Sequence, residues 1–240
     1  MDPLRLLAGL NTSRLSRRYR ARELFSRESV EAPLAIRLDG VGWGRRLRGP
    51  FRRPRDARVH RAEARAALHA VLELGCDAAY VTSDEVTLFW IDHSPPYSGR
   101  VEKLVSISSG LLSSRVSLAL GVPLHYDARI VKLSGPRDAA LYVALRARVG
   151  LNNYVSSLYH MLGLGLRGHT PSLGEMIEAL RARGLEAERL PPWALYGSCI
   201  VQLEAERRTP EGAAARRRWA VATGFWWCFG LPPSGGAGAV

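Results

Sequence analysis

The sequence predicts an α+β fold, a ferredoxin-like antiparallel sheet built in the order β-α-β-β-α-β with a C-terminal, mostly helical extension. Three observations carry that prediction. Four short apolar runs have strand character, two long stretches repeat apolar residues at helical spacing between them, and the second and third strands are separated by only a hairpin's length.

Leu34-Ala35-Ile36-Arg37-Leu38 reads as the first strand, and it stops at Asp39-Gly40, where a glycine-rich turn (Gly40, Gly42, Gly44, Gly49) takes over. Asp56 is a plausible N-cap for a helix in which Val59, Ala62, Ala66, Ala67, Ala70, Val71 and Leu74 recur on one side until Gly75 closes it. Residues 78–82 and 86–91 form the next two strands, with Ser83-Asp84-Glu85 as the turn. Residues 101–120 form the second helix, burying Leu104, Ile107, Leu111, Leu112, Val116 and either Leu118 or Leu120, and 128–133 the fourth strand. In a split β-α-β sheet the first two strands run parallel with the third between them, so Asp39, Asp84 and Glu85 are expected to meet at one sheet edge. The palm of many polymerases and nucleotidyl cyclases shares this arrangement.

Beyond the palm, residues 137–166 read as mostly helical, and 172–183 as an amphipathic helix after the Thr170-Pro171-Ser172 turn signal. Leu190-Pro191-Pro192 breaks the chain, and 196–203 resembles one more strand. The organisation expected is a palm over 1–135 with a basic N-terminal segment, a helical extension over 136–208, and a tail over 209–240 without clear periodicity or assignable role.

The net charge of +12 directs the chain toward a polyanion, nucleic acid above anionic lipid. Of the 34 basic residues all but Lys103 and Lys132 are arginine, a side chain whose planar fork suits phosphate. Cys76, Cys199 and Cys228 are far apart and form no Cys-x-x-Cys pair, so neither a disulfide framework nor a zinc knuckle is expected, and a reducing cytoplasm fits. No signal peptide and no membrane span is read: the apolar run from Leu4 is cut by Arg5, and 219–231 is shorter than the ~20 residues a span needs.

Three acids at one sheet edge repel one another unless a cation neutralises them, and hard oxygen ligands favour magnesium over zinc. Two magnesium ions are the inferred cofactor, suited to a phosphoryl displacement. Gly40-Val41-Gly42-Trp43-Gly44 lacks the dinucleotide-binding register and no Walker lysine follows it, yet its amides can cradle a triphosphate. His60, His69 and His160 read as surface or packing residues and receive no role.

Several runs now resemble one family. Leu34-Ala-Ile-Arg-Leu-Asp-Gly40 with Trp43 resembles the Arg-x-Asp-Gly strand end of tRNA-histidine guanylyltransferases and their template-dependent relatives. Arg53-Pro54-Arg55-Asp56-Ala57-Arg58 is similar to the family's Lys-Pro-Asn-Asp-Ser-Arg, and Thr82-Ser83-Asp84-Glu85 to its Ser-Asp-Glu hairpin. Tyr126-Asp127-Ala128-Arg129 echoes Phe-Asp-Gly-Arg, and Leu145-Arg146 with Asn153 resembles a Trp-Arg-Gln helix carrying an asparagine. The stretch from His169 through Leu180 to Leu190-Pro191 also has a counterpart, so the likeness spans roughly residues 20–203 in one order. Departures are Arg53 for lysine, Ala128 for glycine and Ala147 for glutamine.

The resemblance implies a nucleotidyltransferase acting with GTP and ATP on tRNA as a cytoplasmic homotetramer. It implies that Asp39 and Asp84 bridge the two ions with the Gly40 carbonyl, that Glu85 supports them as a third catalytic acid, and that Gly40, Val41, Gly42, Trp43, Gly44 and Ser83 hold the nucleotide. Arg37, Lys103, Arg129, Arg146 and Asn153 are the candidate phosphate and tRNA contacts. The alternatives are a 5′-end repair polymerase without histidine-tRNA preference, a cyclase-like palm enzyme acting on a free nucleotide, and a non-catalytic RNA-binding module.

Overall fold

The structure, a computed structural model, describes residues 2–165, 171–209 and 212–230. After two N-terminal helices, α1 (Pro3–Ala8) and α2 (Thr12–Arg20), the order is β1 (Leu34–Gly40), α3 (Trp43–Arg46), α4 (Ala57–Leu74), β2 (Ala78–Thr82), β3 (Glu85–Trp90), α5 (Val101–Leu120) and β4 (Tyr126–Lys132). Then come α6 (Pro136–Met161), α7 (Leu173–Arg181), α8 (Pro192–Tyr196), β5 (Ser198–Thr209) and β6 (Gly212–Thr223). The six strands form one antiparallel sheet in the order β4-β1-β3-β2-β5-β6. The palm-like α+β core is therefore present, widened by two strands beside β2.

Alternation along the strands divides the sheet into two faces. Leu34, Ile36 and Leu38 of β1, with Val86, Leu88 and Trp90 of β3, pack against α4 and α5. Ala35, Tyr80 and Phe89 point the other way and meet Ala139, Val143 and Ala147 of α6. α4 starts at an Asp56 cap whose carboxylate accepts from the Arg58 amide and ends at Gly75 in the left-handed region, and every predicted core residue of that helix is buried. On α5 the alternative resolves toward Leu120, because Leu118 is 84% exposed.

Several boundaries move. Glu85 belongs to β3 rather than to the turn, since it pairs with both Thr82 and Asp39. β4 begins two residues early, at Tyr126, because Tyr126 and Asp127 continue the ladder opposite Gly40 and Asp39. α6 ends at Met161, earlier than residue 166, and α7 keeps Ser172 as its cap in a reciprocal capping box with Glu175. His169, which opens the last stretch of resemblance, lies outside the described residues.

Two expectations about the C-terminal part are corrected. The tail after residue 209 carries a strand, β6, paired with β5 over twelve residues. Its sequence contains Arg216-Arg217-Arg218 and no regular alternation, so only the partner strand reveals it. Cys199 and Cys228 form a disulfide despite the absence of any short-range cysteine pair, because β5 and the turn after β6 bring residues 29 apart to a Cα separation of 5.4 Å. Cys76 is free and buried. Among the described residues no helix is long and apolar enough to cross a membrane.

α6 lies close on the sheet at Gly150, where a Cβ would meet Thr82 Oγ1 at 2.3 Å. Gly150→Ala is expected to cost about 1–3 kcal/mol through overpacking, whereas Gly110→Ala, in a helix with open space around it, should gain roughly 0.5–1 kcal/mol. Urea unfolding of both variants checks this, and equal midpoints would refute the close approach.

Candidate active site

The sheet end where β1 finishes and β3 and β4 begin collects the acids. Asp39 stands between Glu85 on one side and Asp127 on the other, each its direct cross-strand partner. Such partners hold their Cβ atoms ~4.5–5.5 Å apart. The three residues share the face that α6 covers. Asp84 joins them through the hairpin, because the Gly40 amide donates to the Asp84 carbonyl at 2.9 Å and fixes the turn against the end of β1. Ser83 sits in that turn at φ 59°, a conformation costly for a residue with a side chain.

The acids are not treated alike. Glu85 receives a bidentate fork from Arg146 of α6, with Nε donating to Oε1 at 2.7 Å and Nη2 to Oε2. Arg37 Nε stands 3.9 Å away on the same strand face. Asp127 is held by Arg129 Nη2 at 3.1 Å, although its Oδ1 is buried and has no hydrogen-bond partner. The side chains of Asp39 and Asp84 make neither a hydrogen bond nor an ion pair with any described residue. Burial first, and then the neighbouring Asp84 charge, pushes the Asp39 carboxyl above its ordinary value. Burial also raises Glu85, and Arg146 opposes that shift.

Behind the acids the turn after β1 is braced rather than loose. Trp43 is buried, donates its indole N–H to the His125 carbonyl at 3.1 Å and meets Tyr126 edge-on at 4.9 Å. A Cβ on Gly40 would lie 2.8 Å from the Trp43 ring, so glycine is what lets the chain pass the indole. Gly42 takes φ 67° to start α3. The Tyr126 hydroxyl in turn donates to Glu63, a fully buried acid on α4 whose pKa burial raises well above the usual carboxylate range.

Beside Ser83 and Asp84 opens a cavity of about 550 Å³, walled by Trp43 and Gly44, the segment Arg52–Asp56, His60, Ser156, Ser157, His160 and Trp193. Its size and its mixture of aromatic and cationic walls suit a nucleotide. Much of this wall escaped sequence reasoning. His60 and His160 both line this cavity, and His60 is a packing residue, as its sequence reading allows. His60 is stacked on Trp193 at 5.0 Å, bonded to Ser198 through Nε2 at 2.9 Å, and lowered to about 4 by burial and by Arg55 and Arg61, so it is neutral at pH 7. Arg55 is tied down by the Gly150 carbonyl at 2.7 Å and the Ala194 carbonyl. No sequence signal joins His60 to Trp193, which are 133 positions apart.

The remaining predicted contacts scatter. Arg37, Arg129 and Arg146 sit on the acid-bearing face. Asn153 is exposed on α6. Lys103 lies in the first turn of α5, the end of that helix remote from the acids, because its C-terminal end feeds β4 at Tyr126 opposite Gly40.

The donor set bears on metal chemistry. Among the described residues no group of three or more His, Cys, Asp or Glu side chains is placed to hold a metal ion. The two carboxylates without an arginine partner at this sheet end are Asp39 and Asp84. Those are hard donors, their charges are unpaired, and they fit magnesium.

Arg146 and Glu85 are both largely shielded, with side chains 15% and 6% exposed. Removing one partner strands the other, so Arg146→Met is expected to lose about 3–5 kcal/mol of stability in urea unfolding, with Glu85→Gln added to it restoring a part. An unchanged midpoint would show that the pair does not hold α6 to the sheet.

Comparison with known proteins places this arrangement. The sequence profile of the tRNAHis guanylyltransferase family matches residues 17–134. No curated protein matches the sequence. Among solved structures, the chain is similar to a bacterial tRNA(His) guanylyltransferase-like protein in complex with ATP, with TM-score 0.71 and 17% identity over 89% of this chain and 92% of that one. It is similar to such a protein in complex with GTP, with TM-score 0.69 and 18% identity over 86% and 90% of the two chains. The Saccharomyces cerevisiae tRNA(His) guanylyltransferase gives 0.59 and 18% over 76% and 87%. At these identities the structural likeness establishes the fold.

Proposed function

This chain belongs, through residues 17–134, to the tRNAHis guanylyltransferase family of nucleotidyltransferases, and from that premise we propose that it adds a guanosine nucleotide from GTP to the 5′ end of a tRNA by ATP-activated, 3′-to-5′ growth. The observation that carries the proposal is the pair Asp39 and Asp84, adjacent and without an ion-pair partner among the described residues, at a sheet end where Glu85 and Asp127 both have arginine partners. In this reading their carboxylates and the Gly40 carbonyl hold two magnesium ions. When bound, magnesium neutralises phosphoryl oxygens and acidifies an attacking hydroxyl.

The residues themselves do the positioning. The turn from Gly40 to Gly44 is fixed by Trp43 and by the Gly40 and Val41 amides, which donate to the Asp84 and His125 carbonyls; the amides of Gly42, Trp43 and Gly44 are left for a triphosphate, and Ser83 and the walls of the adjoining cavity hold the nucleotide. Glu85, clamped by Arg146, keeps β3 and α6 in register beside Asp39 and acts as a support for the site. Arg37 and Arg129 supply cationic charge on the same face. The tRNA 5′-monophosphate first displaces pyrophosphate from ATP to give the adenylylated end, and the 3′ hydroxyl of GTP then attacks the activated tRNA phosphate, losing its proton and expelling AMP.

Addition is proposed to follow Watson–Crick pairing. Members of the family that add an unpaired guanosine carry His-Ile-Asn-Asn where this chain has Gly150-Leu151-Asn152-Asn153. The close approach of Gly150 to Thr82 supports this reading, since a histidine does not fit that packing. A repair polymerase indifferent to histidine tRNA is the second reading, favoured by the same glycine. A cyclase-like enzyme leaves the +12 charge without a purpose, and a simple RNA-binding module leaves the bare acid pair without one. We further propose a palm over 1–135 with an extension over 136–208, a cytoplasmic setting, and a homotetramer, for which the half-exposed Leu141 and Leu145 of α6 offer contact surface.

The test is magnesium-dependent transfer of labelled guanosine nucleotide to 5′-phosphorylated tRNAs that differ only in the base opposite the added position. Efficient addition opposite cytosine, poor addition opposite adenine, and total loss in Asp39→Ala and Asp84→Ala are expected. Equal rates on the two tRNAs reject pairing-directed addition, and full activity in either variant rejects the acid pair as the catalytic centre.

A further inference from the structure

α2 is a nine-residue helix, Thr12–Arg20, in which no residue is buried. A helix that buries nothing gains no stability from packing, so its sequence answers to something outside the fold. At 100° per residue, Arg14, Arg17 and Arg18 fall within an arc of about 100° on one side, with Leu15 and Tyr19 on the flank beyond Arg18; the Arg18 guanidinium lies 5.9 Å from the Tyr19 ring. Arg20 and Arg22 extend the charge. All five arginines are exposed. None has a carboxylate partner among the described residues, whereas Arg5 in α1 stands 3.9 Å from Asp2 and the arginines of the active-site face stand on acids. The helix is locally built: Asn11 caps it by accepting from the Arg14 amide at 2.9 Å.

Its attachment is informative. From α2 the chain runs through Ser29, which bridges Arg100, and enters β1 at Leu34. That is the end of the strand away from Asp39, and a seven-residue strand spans about 20 Å. The tether of α2 therefore joins the sheet at the end away from the acids, and no residue of α2 lines the cavity beside Ser83 and Asp84.

We propose that the Arg14-Arg17-Arg18 face of α2 is a docking surface for the sugar-phosphate backbone of the tRNA body, separate from the site that receives the 5′ end. The inference rests on the nucleotidyl-transfer reading above for the identity of the RNA. Charge complementarity selects the occupant: three guanidinium forks without acid partners, at one-turn spacing, match a row of phosphates, while the two apolar residues beside them are too few to seat a helix in a lipid surface.

The experiment uses the full chain with Arg14→Gln, Arg17→Gln and Arg18→Gln combined. α2 buries nothing, so the fold is expected to be kept, and the corresponding triple lysine variant serves as the charge-preserving control. Binding of full-length tRNA is followed by fluorescence anisotropy from 50 to 300 mM salt. Every phosphate that is no longer neutralised by an arginine flattens the slope of log K against log salt by about 0.7–0.9, so the triple glutamine variant should lose about 2–3 units of slope and bind roughly a hundredfold more weakly near 0.1 M salt. The lysine variant should keep most of the slope. KM for tRNA should rise with kcat unchanged, and a short 5′-phosphorylated acceptor-stem hairpin should be used equally well by variant and parent. An unaltered slope overturns the proposal. So does an unaltered slope combined with loss of binding to phosphatidylserine vesicles, which would assign the face to a membrane. If the parent transfers nothing to any tRNA yet the slope falls as described, the surface stands and the enzymatic reading fails.

Discussion

Carboxylates crowded at one end of a sheet are the constraint on which the rest of this structure turns. The register β4-β1-β3 leaves no choice in the matter: once Leu34, Ile36 and Leu38 are buried toward α4 and α5, period-two alternation delivers Asp39 to the opposite face, between Glu85 and Asp127. Burial makes each charge harder to hold. Arginines settle the outer two, with Arg146 reaching down from α6 and Arg129 from the same strand as Asp127. The central acid and its hairpin neighbour are left bare. Two neighbouring carboxylates of this kind cost local stability, the arrangement expected where a charge is kept for binding or chemistry.

The turn and the cavity beside the acids depend on that same register by a longer route. Gly40 ends β1, its amide pins Asp84, and its missing side chain admits the Trp43 indole, which braces the turn against Tyr126 and His125. The cavity beside the turn then borrows walls from α4, α6 and α8, which are distant in sequence. Arg55 ties these parts together, since its guanidinium reaches carbonyls of both α6 and α8 and lies 5.2 Å from the Tyr154 ring. It acts as a bracket between layers rather than as a free phosphate ligand.

Much of this is legible in the sequence, and the reasons are particular. The strand that stops at Asp39-Gly40, the cap at Asp56 and the closing Gly75 are local signals, and local signals fix helix ends and strand ends well. The meeting of Asp39, Asp84 and Glu85 follows from topology. What the sequence hides is what depends on partners. β6 is a strand because β5 is beside it, and its arginine run gives no alternation to read. The Cys199–Cys228 disulfide needs two remote segments to come together. His60 reads as one more helix residue until Trp193 is laid against it. Arg146 reads from sequence as a phosphate ligand, and its bidentate hold on Glu85 is invisible there, because helix-to-sheet placement is a tertiary property.

The central claim is that Asp39 and Asp84 form a bare acid pair kept for a cation. Thermal unfolding of the parent chain and of Asp39→Asn, each with and without Mn²⁺ as a stand-in for magnesium, tests it most directly. Relief of the repulsion should leave the metal-free variant more stable than the parent, and binding of the ion to the folded state should raise the midpoint of the parent but not of the variant. A parent chain whose midpoint ignores the ion, or a variant that responds to it as fully as the parent, would contradict the account.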